Sequence, residues 1–380
     1  MAGYRTPIAH GTLSSVQVLR GTAALCVVLA HIPFIGIGSF GVDIFFVTSG
    51  FIICHIAPAE RRFFFLYRIC RVVPLYWIAT FAVCLIASRF PWLIGSTDTD
   101  TASVLKSIFF IPYNRENGQP MPVLGVGWTL NFEMLFYAVF AACLRCCKTR
   151  IAPIACGALL LAVAILGRFV NLPMPWSFWT LPYPAEFAAG IGAFYLLRIA
   201  GERLKRIPLA ILAAISIGGL IVLFTAALIH PHLRVLSIII PCAFCIFVST
   251  VLTEGRWRIP ALAVLIGDAS YSLYLLHPFV IAAAQKTMDP MVSSTPGSFL
   301  AALIAIFCAL VVAHLSLRLF ERPSNKALRK LIANRTMTAN RASPRLDGFA
   351  APGRAATLRA VPVAIAGISP YSVSNGRPTR

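Results

Sequence analysis

Ten apolar runs dominate this sequence, each long enough to cross roughly 30 Å of hydrocarbon as an α-helix. They lie near 16–34, 41–57, 72–89, 127–145, 151–169, 182–199, 207–229, 235–253, 261–284 and 297–319. The first two are joined by a very tight link, Pro33 followed by "GIGSFG". The sixth opens with Pro182 and Pro184 and carries Glu186. Composition agrees with the pattern: 58% of residues are hydrophobic and 12% charged. A soluble globular chain carries about 25% charged residues. The expected fold class is therefore all-α, a polytopic membrane bundle of about ten transmembrane helices.

Lysine and arginine set the expected orientation, because cytoplasmic loops carry them in excess. With the N-terminus inside, the inner loops hold Arg61, Arg62, Arg68, Arg71, Arg145, Lys148, Arg150, Arg198, Arg203, Lys205, Arg206, Arg256 and Arg258. The opposite loops and edges hold only Arg89, Lys106, Arg115, Arg168, Arg234 and Lys286. Both termini are expected in the cytoplasm. The net charge of +20 is thus largely topological.

Composition changes near the C-terminus. Residues 1–332 read as the membrane domain and 333–380 as a basic, disordered cytoplasmic tail, rich in Ala, Ser, Pro and Arg, with Asp347 its only acid after Arg335. Such a tail lies against anionic headgroups. Membrane lipids, and not nucleic acid, are its expected partners. Most of the eleven cysteines lie in apolar runs, where cysteine is a small hydrophobe. Cys143, Cys146 and Cys147 have no histidine near them in sequence, so no metal is expected. No small-residue cleavage site follows the first run, and no cleaved signal peptide is expected.

Polar residues inside the runs carry the functional information, since ionisable groups at membrane depth mark sites by default. Arg20 and His31 are eleven residues apart in the first run. That is about three helical turns and roughly 16 Å, on nearly one face. Snorkelling and helix capping are the bland alternatives; a shared polar cavity is the sharper one. In the second run Asp43 sits at the outer end, and Thr48, Ser49 and Gly50 lie near the middle. Small residues there favour close helix packing over a serine nucleophile.

The stretch "YRICRVVPLYW" places Arg68 and Arg71 at i, i+3. They share a face and suit either cytoplasmic anchoring or a bidentate grip on phosphate. Pro74 suits a first helical turn. In "GWTLNFEMLFY", Glu133 lies at a depth similar to that of His31, and pairing would orient the imidazole as a general base. A buried ion pair between helices is the alternative. The ninth run adds Tyr271, Tyr274 and His277 along one side, with Pro278 expected to bend the helix. Glu321, in "FERP", is available to the inner arginines.

Five segments, in this order, carry a family resemblance: the arginine and histidine of the first run, "GVDIFFVTSGFI", "RICRVVPLYW", "WTLNFEMLFY" and "IGDASYSLYLLHP". Over about residues 13 to 323 the chain resembles the acyltransferase 3 family, bacterial integral-membrane O-acyltransferases of surface and exported polysaccharides. Its second segment is nearest to the exopolysaccharide acetylases. The resemblance implies transfer of an acyl group, usually acetyl, from cytoplasmic acyl-CoA to a sugar hydroxyl at or beyond the outer face of the inner membrane. It implies that Arg20 and His31 are essential, that Arg68 and Arg71 bind donor phosphates, and that Glu133 assists the chemistry. Asp43, Ser49, Tyr271, Tyr274 and His277 are cavity candidates. No permanently bound cofactor is implied, acyl-CoA being a co-substrate. The partners are a polysaccharide or lipid-linked sugar acceptor and polysaccharide-assembly proteins.

Direct attack of the sugar hydroxyl on the thioester, with His31 as base, and a two-step route through an acyl group on His31 or a serine both remain open. A transporter or flippase is the rival from another class, because intramembrane Arg, His and Glu also mark substrate and proton pathways. The sequence shows no inverted repeat to support it.

Overall fold

The computed structural model describes residues 13–90, 97–229, 236–287 and 295–342. Arg234 and the tail from residue 343 onward lie outside the described residues. Two units divide the chain, Met1–Ala333 and Asn334–Arg380.

Helices account for nearly all of the described structure. In chain order they are α1 (Ser14–Ala30), α2 (Gly41–Glu60), α3 (Phe64–Arg89), α4 (Thr101–Ile108), α5 (Trp128–Cys146), α6 (Ala152–Leu166), α7 (Trp176–Trp179), α8 (Tyr183–Leu204), α9 (Leu209–Ile229), α10 (Leu236–Val251), α11 (Ala261–Asp268), α12 (Ser270–Thr287), α13 (Thr295–Ser316) and α14 (Arg322–Ala342). Among the described residues there is no β-strand. Four helical stretches are long and apolar enough to cross a membrane: Gly41–Arg89, Gly125–Cys146, Leu209–Ile229 and Gly297–Asn334. The pair α11 and α12, bent by 71°, makes a fifth if counted as one. Large apolar side chains such as Ile217, Ile221, Leu303 and Phe307 face outward, as they do in an integral membrane protein.

Each apolar run is helical, yet helix ends and hydropathy ends differ. α3 begins at Phe64, so Arg68 and Arg71 lie within a helix and not in a loop, and Pro74 falls in its interior instead of its first turn. Charge ends a hydrophobic run, but nothing in "FFLYRIC" stops backbone hydrogen bonding. The ninth run breaks at Ala269, between α11 and α12, while Pro278 stays inside α12. α14 runs from Arg322 to Ala342.

Close packing brings the polar residues of different helices together. α1 lies against α2, α11 and α12, and α2 lies against α8. Phe136 stacks on Phe187 at 4.5 Å and Phe132 on Phe178 at 4.6 Å, tying α5 to α8 and α7. The amides of Ser14 and Ser15 donate to the Glu254 carboxylate at 3.2 and 2.7 Å, capping the start of α1.

Glycine sets the α2–α8 distance. A Cβ on Gly190 would lie 2.0 Å from the carbonyl oxygen of Val47, and one on Gly50 2.2 Å from that of Phe187. Both clashes are with backbone, so the helices themselves must move. Gly190→Ala should therefore destabilise the detergent-solubilised protein by about 1–3 kcal/mol, the usual cost of overpacking. Gly192→Ala on the same helix, where a Cβ meets nothing within 4 Å, should leave the thermal midpoint unchanged. Equal midpoints for the two variants would refute the close contact.

Candidate active site

Three arginines from two helices converge inside the bundle. Arg20 of α1 and Arg68 and Arg71 of α3 line two adjoining cavities. The spacing of Arg68 and Arg71 puts both on one side of α3. Arg68 is 2% exposed. Its Nη2 donates to Glu60 Oε2 at 2.5 Å, and its guanidinium lies 5.8 Å from the centre of the Phe64 ring. Its Nε is buried without a hydrogen-bond partner. Arg20 Nη1 donates to Gln17 Oε1 at 3.2 Å. Burying guanidinium groups costs several kcal/mol each unless anions compensate. Two carboxylates face this cluster, Glu60 at the end where α2 leads into α3 and Glu133 across the inner cavity.

The inner cavity, about 80 Å³, runs from the arginines to α5 and α12. Glu133, Tyr137, Tyr271, Tyr274 and Ser49 line it. Tyr137 donates a hydrogen bond to Glu133 one turn away on the same helix. Tyr271 donates to the carbonyl of Val72 at 2.6 Å, and Tyr274 to that of Val126 at 2.9 Å. These bonds fix the phenol rings as cavity walls. The second cavity, about 390 Å³, opens on the other side of the arginines and adds Gln17, His55, Glu60 and Arg329.

Two histidines meet beyond the inner cavity. His31 caps the end of α1 and is exposed, and His277 of α12 is fully buried. Their rings meet edge to face at 4.7 Å. Nδ1 of His31 lies 2.8 Å from the carbonyl oxygen of Val27. A carbonyl only accepts, so Nδ1 carries the proton and Nε2 of the neutral ring keeps its lone pair. His277 repeats the arrangement, its Nδ1 3.1 Å from the carbonyl of Leu273, with Nε2 unpartnered. Tyr274, which lines the inner cavity, stands 6.2 Å from His277.

The residues singled out in the sequence fall into two groups. Arg20, Arg68, Arg71, Glu133, Ser49, Tyr271 and Tyr274 share the inner cavity, while His31 and His277 form the pair beyond it. Asp43 is buried in the first turn of α2 and lines neither cavity. The expected Glu133–His31 pair does not form: Glu133 is bonded by Tyr137, and His31 faces His277. Arithmetic along the chain puts the two at similar depth, but they meet different neighbours. Glu321 accepts from Ser272 at 2.7 Å and acts electrostatically on Arg20, as its availability to the inner arginines implies. Sequence reasoning missed Glu60 and Arg329. Glu60 is the only acid in the charged link after the second run, a signal that was available.

Comparison with known proteins bears on what such a cavity does. The Acyl_transf_3 family model, described as an acyltransferase domain, matches residues 13–315. "Exopolysaccharide production protein ExoZ" of Rhizobium meliloti (strain 1021) is 36% identical over 304 residues, covering 76% of this chain and 89% of that protein. "Putative membrane-bound transacylase BcsY" of Komagataeibacter xylinus is 26% identical over 344 residues, covering 81% of each. No solved structure matches the chain.

Proposed function

This chain belongs to the Acyl_transf_3 family of acyltransferases, and from that premise we propose that it acylates a hydroxyl of an exported polysaccharide or of its lipid-linked precursor. The donor is cytoplasmic acyl-CoA and the acyl group acetyl. The observation that carries the reading is the convergence of Arg20, Arg68 and Arg71 where the two cavities meet. A phosphate-bearing donor suits three guanidinium groups that outnumber the two carboxylates, Glu60 and Glu133, lining the same cavities. The name of the ExoZ relative supports an exopolysaccharide as acceptor.

In this reading the ten apolar helical stretches are ten spans of the inner membrane, with both termini cytoplasmic. The arginine end of α1 then faces the donor pool, and the His31 end faces the acceptor. A pantetheine arm threads from the arginines past Tyr271 and Tyr274. Nε2 of His31 takes the proton of the sugar hydroxyl as its oxygen attacks the thioester carbonyl. The carbon–sulfur bond breaks, and the departing CoA thiolate takes up the proton. General-base help of this kind is worth about 10²–10⁴-fold.

The test uses purified protein in nanodiscs with labelled acetyl-CoA and a polysaccharide or lipid-linked oligosaccharide acceptor. Label in the sugar together with stoichiometric free CoA is the expected result. Acceptor moved across a vesicle membrane with no CoA released would favour a transporter, and so overturn the reading.

A further inference from the structure

The larger cavity holds more positive charge than three motif arginines supply. Arg329 lines it too, from α14, beyond residue 315 where the family match ends. Its Nη1 donates to Glu60 Oε1 at 3.0 Å, while Arg68 takes the other oxygen of the same carboxylate at 2.5 Å. Its Nε donates to Asn325 Oδ1 at 3.1 Å, and its guanidinium lies over the Tyr67 ring at 4.4 Å. Three contacts thus hold the guanidinium plane before any ligand arrives. Such preorganisation lowers the ordering cost of binding.

Charge counting points to the ligand. The lining contains Arg20, Arg68, Arg71 and Arg329 against Glu60 alone, which leaves a cation excess of three (four minus one, histidine neutral). Glu133 and Glu321 offset part of the charge at Arg20, and what remains along Arg68, Arg71 and Arg329 calls for an anionic ligand. A diphosphate with a further monophosphate meets that requirement. Arg20, Arg68 and Arg71 also line the inner cavity, whereas Arg329 lines only the larger one. Arg329 is therefore the one of the four that does not reach the inner cavity.

We infer that Arg329 is a donor-binding residue that recognises the outermost phosphate of the donor, the monophosphate on the ribose of its nucleotide, with Glu60 holding Arg329 and Arg68 as a pair. The inference rests on the acyl-CoA reading above. It makes the C-terminal helix part of the donor site.

The experiment measures KM and kcat of the full chain in nanodiscs with two donors, acetyl-CoA and its analogue lacking the ribose 3′-phosphate. Wild type should prefer acetyl-CoA by about tenfold in KM, the size of one charge-assisted contact. Arg329→Gln should raise KM for acetyl-CoA about tenfold, leave the analogue within twofold, and leave kcat within twofold for both. Arg329→Lys should restore part of the preference, since lysine keeps the charge without the fork. Equal KM increases for the two donors, or a preference that survives in Arg329→Gln, would overturn the inference while leaving acyl-CoA as donor. A wild type that binds neither donor would instead bring down the acyl-CoA reading, and this inference with it.

Discussion

Replacing His31 with alanine should lower transfer at least a hundredfold while leaving the fold and acyl-CoA binding close to wild type. His31 sits after the last turn of α1, exposed, with Nδ1 bonded to its own helix through the carbonyl of Val27. That bond turns the lone pair of Nε2 outward, the form a general base needs. Truncation removes one partly exposed hydrogen bond, worth about 0.5–1.5 kcal/mol, and an edge-to-face contact with His277. Neither loss is large enough to unfold a helix packed on three neighbours. Donor affinity should hardly change, because Arg20 lies about 16 Å away along the same helix. The measurement is acetyl transfer and equilibrium donor binding at matched protein level. Retention of more than a tenth of wild-type turnover would remove His31 from the chemistry. A stable acyl group trapped on another side chain of the variant would place the covalent step there.

How far the sequence reaches depends on the range of the interaction. Apolar runs report where a helix is hydrophobic, and helices were found at every one. They do not report where hydrogen bonding stops, so α3 starts at Phe64 although the run starts near 72. Spacing within one helix is equally legible. Arg68 and Arg71 share a side of α3, and Tyr137 reaches Glu133 from one turn on. Contacts between helices are another matter. Arithmetic at 1.5 Å per residue places Glu133 and His31 at one depth, but it says nothing of the direction each faces. That direction is set by packing such as Gly267 against Gln17, where a Cβ would lie 1.9 Å from the backbone oxygen. Tight contact there seats α1 against α11. The Glu60–Arg329 pair spans 269 residues and leaves no periodic trace in the sequence.

The same distinction separates Arg68 from Arg71, and their alanine variants should differ in kind. Arg71 lines both cavities, and among the described residues it makes no ion pair. Arg71→Ala therefore removes donor contacts and little else. Each charge-assisted contact is worth about 1.5–3 kcal/mol, so acyl-CoA affinity should fall roughly ten- to a hundredfold with the thermal midpoint unchanged. Arg68 does two jobs. Its Nη2 is bonded to Glu60, and its Nε is buried with no protein partner, an unsatisfied donor that a phosphate oxygen would satisfy. Arg68→Ala loses the same donor contact and also strands part of a half-buried carboxylate, leaving Arg329 as its remaining arginine. Breaking such a pair from one side is more costly than the pair is worth, because the surviving charge stays desolvated. Its thermal midpoint should drop along with affinity, and Glu60→Gln placed on top of it should recover stability but not donor binding. Lysine at either position should restore only part of the affinity, for want of the planar fork. Calorimetric titration of acyl-CoA beside thermal unfolding of the same samples separates the two effects. Alanine variants at both positions that keep donor affinity and lose only their level in the membrane would reduce these arginines to anchors of the bundle.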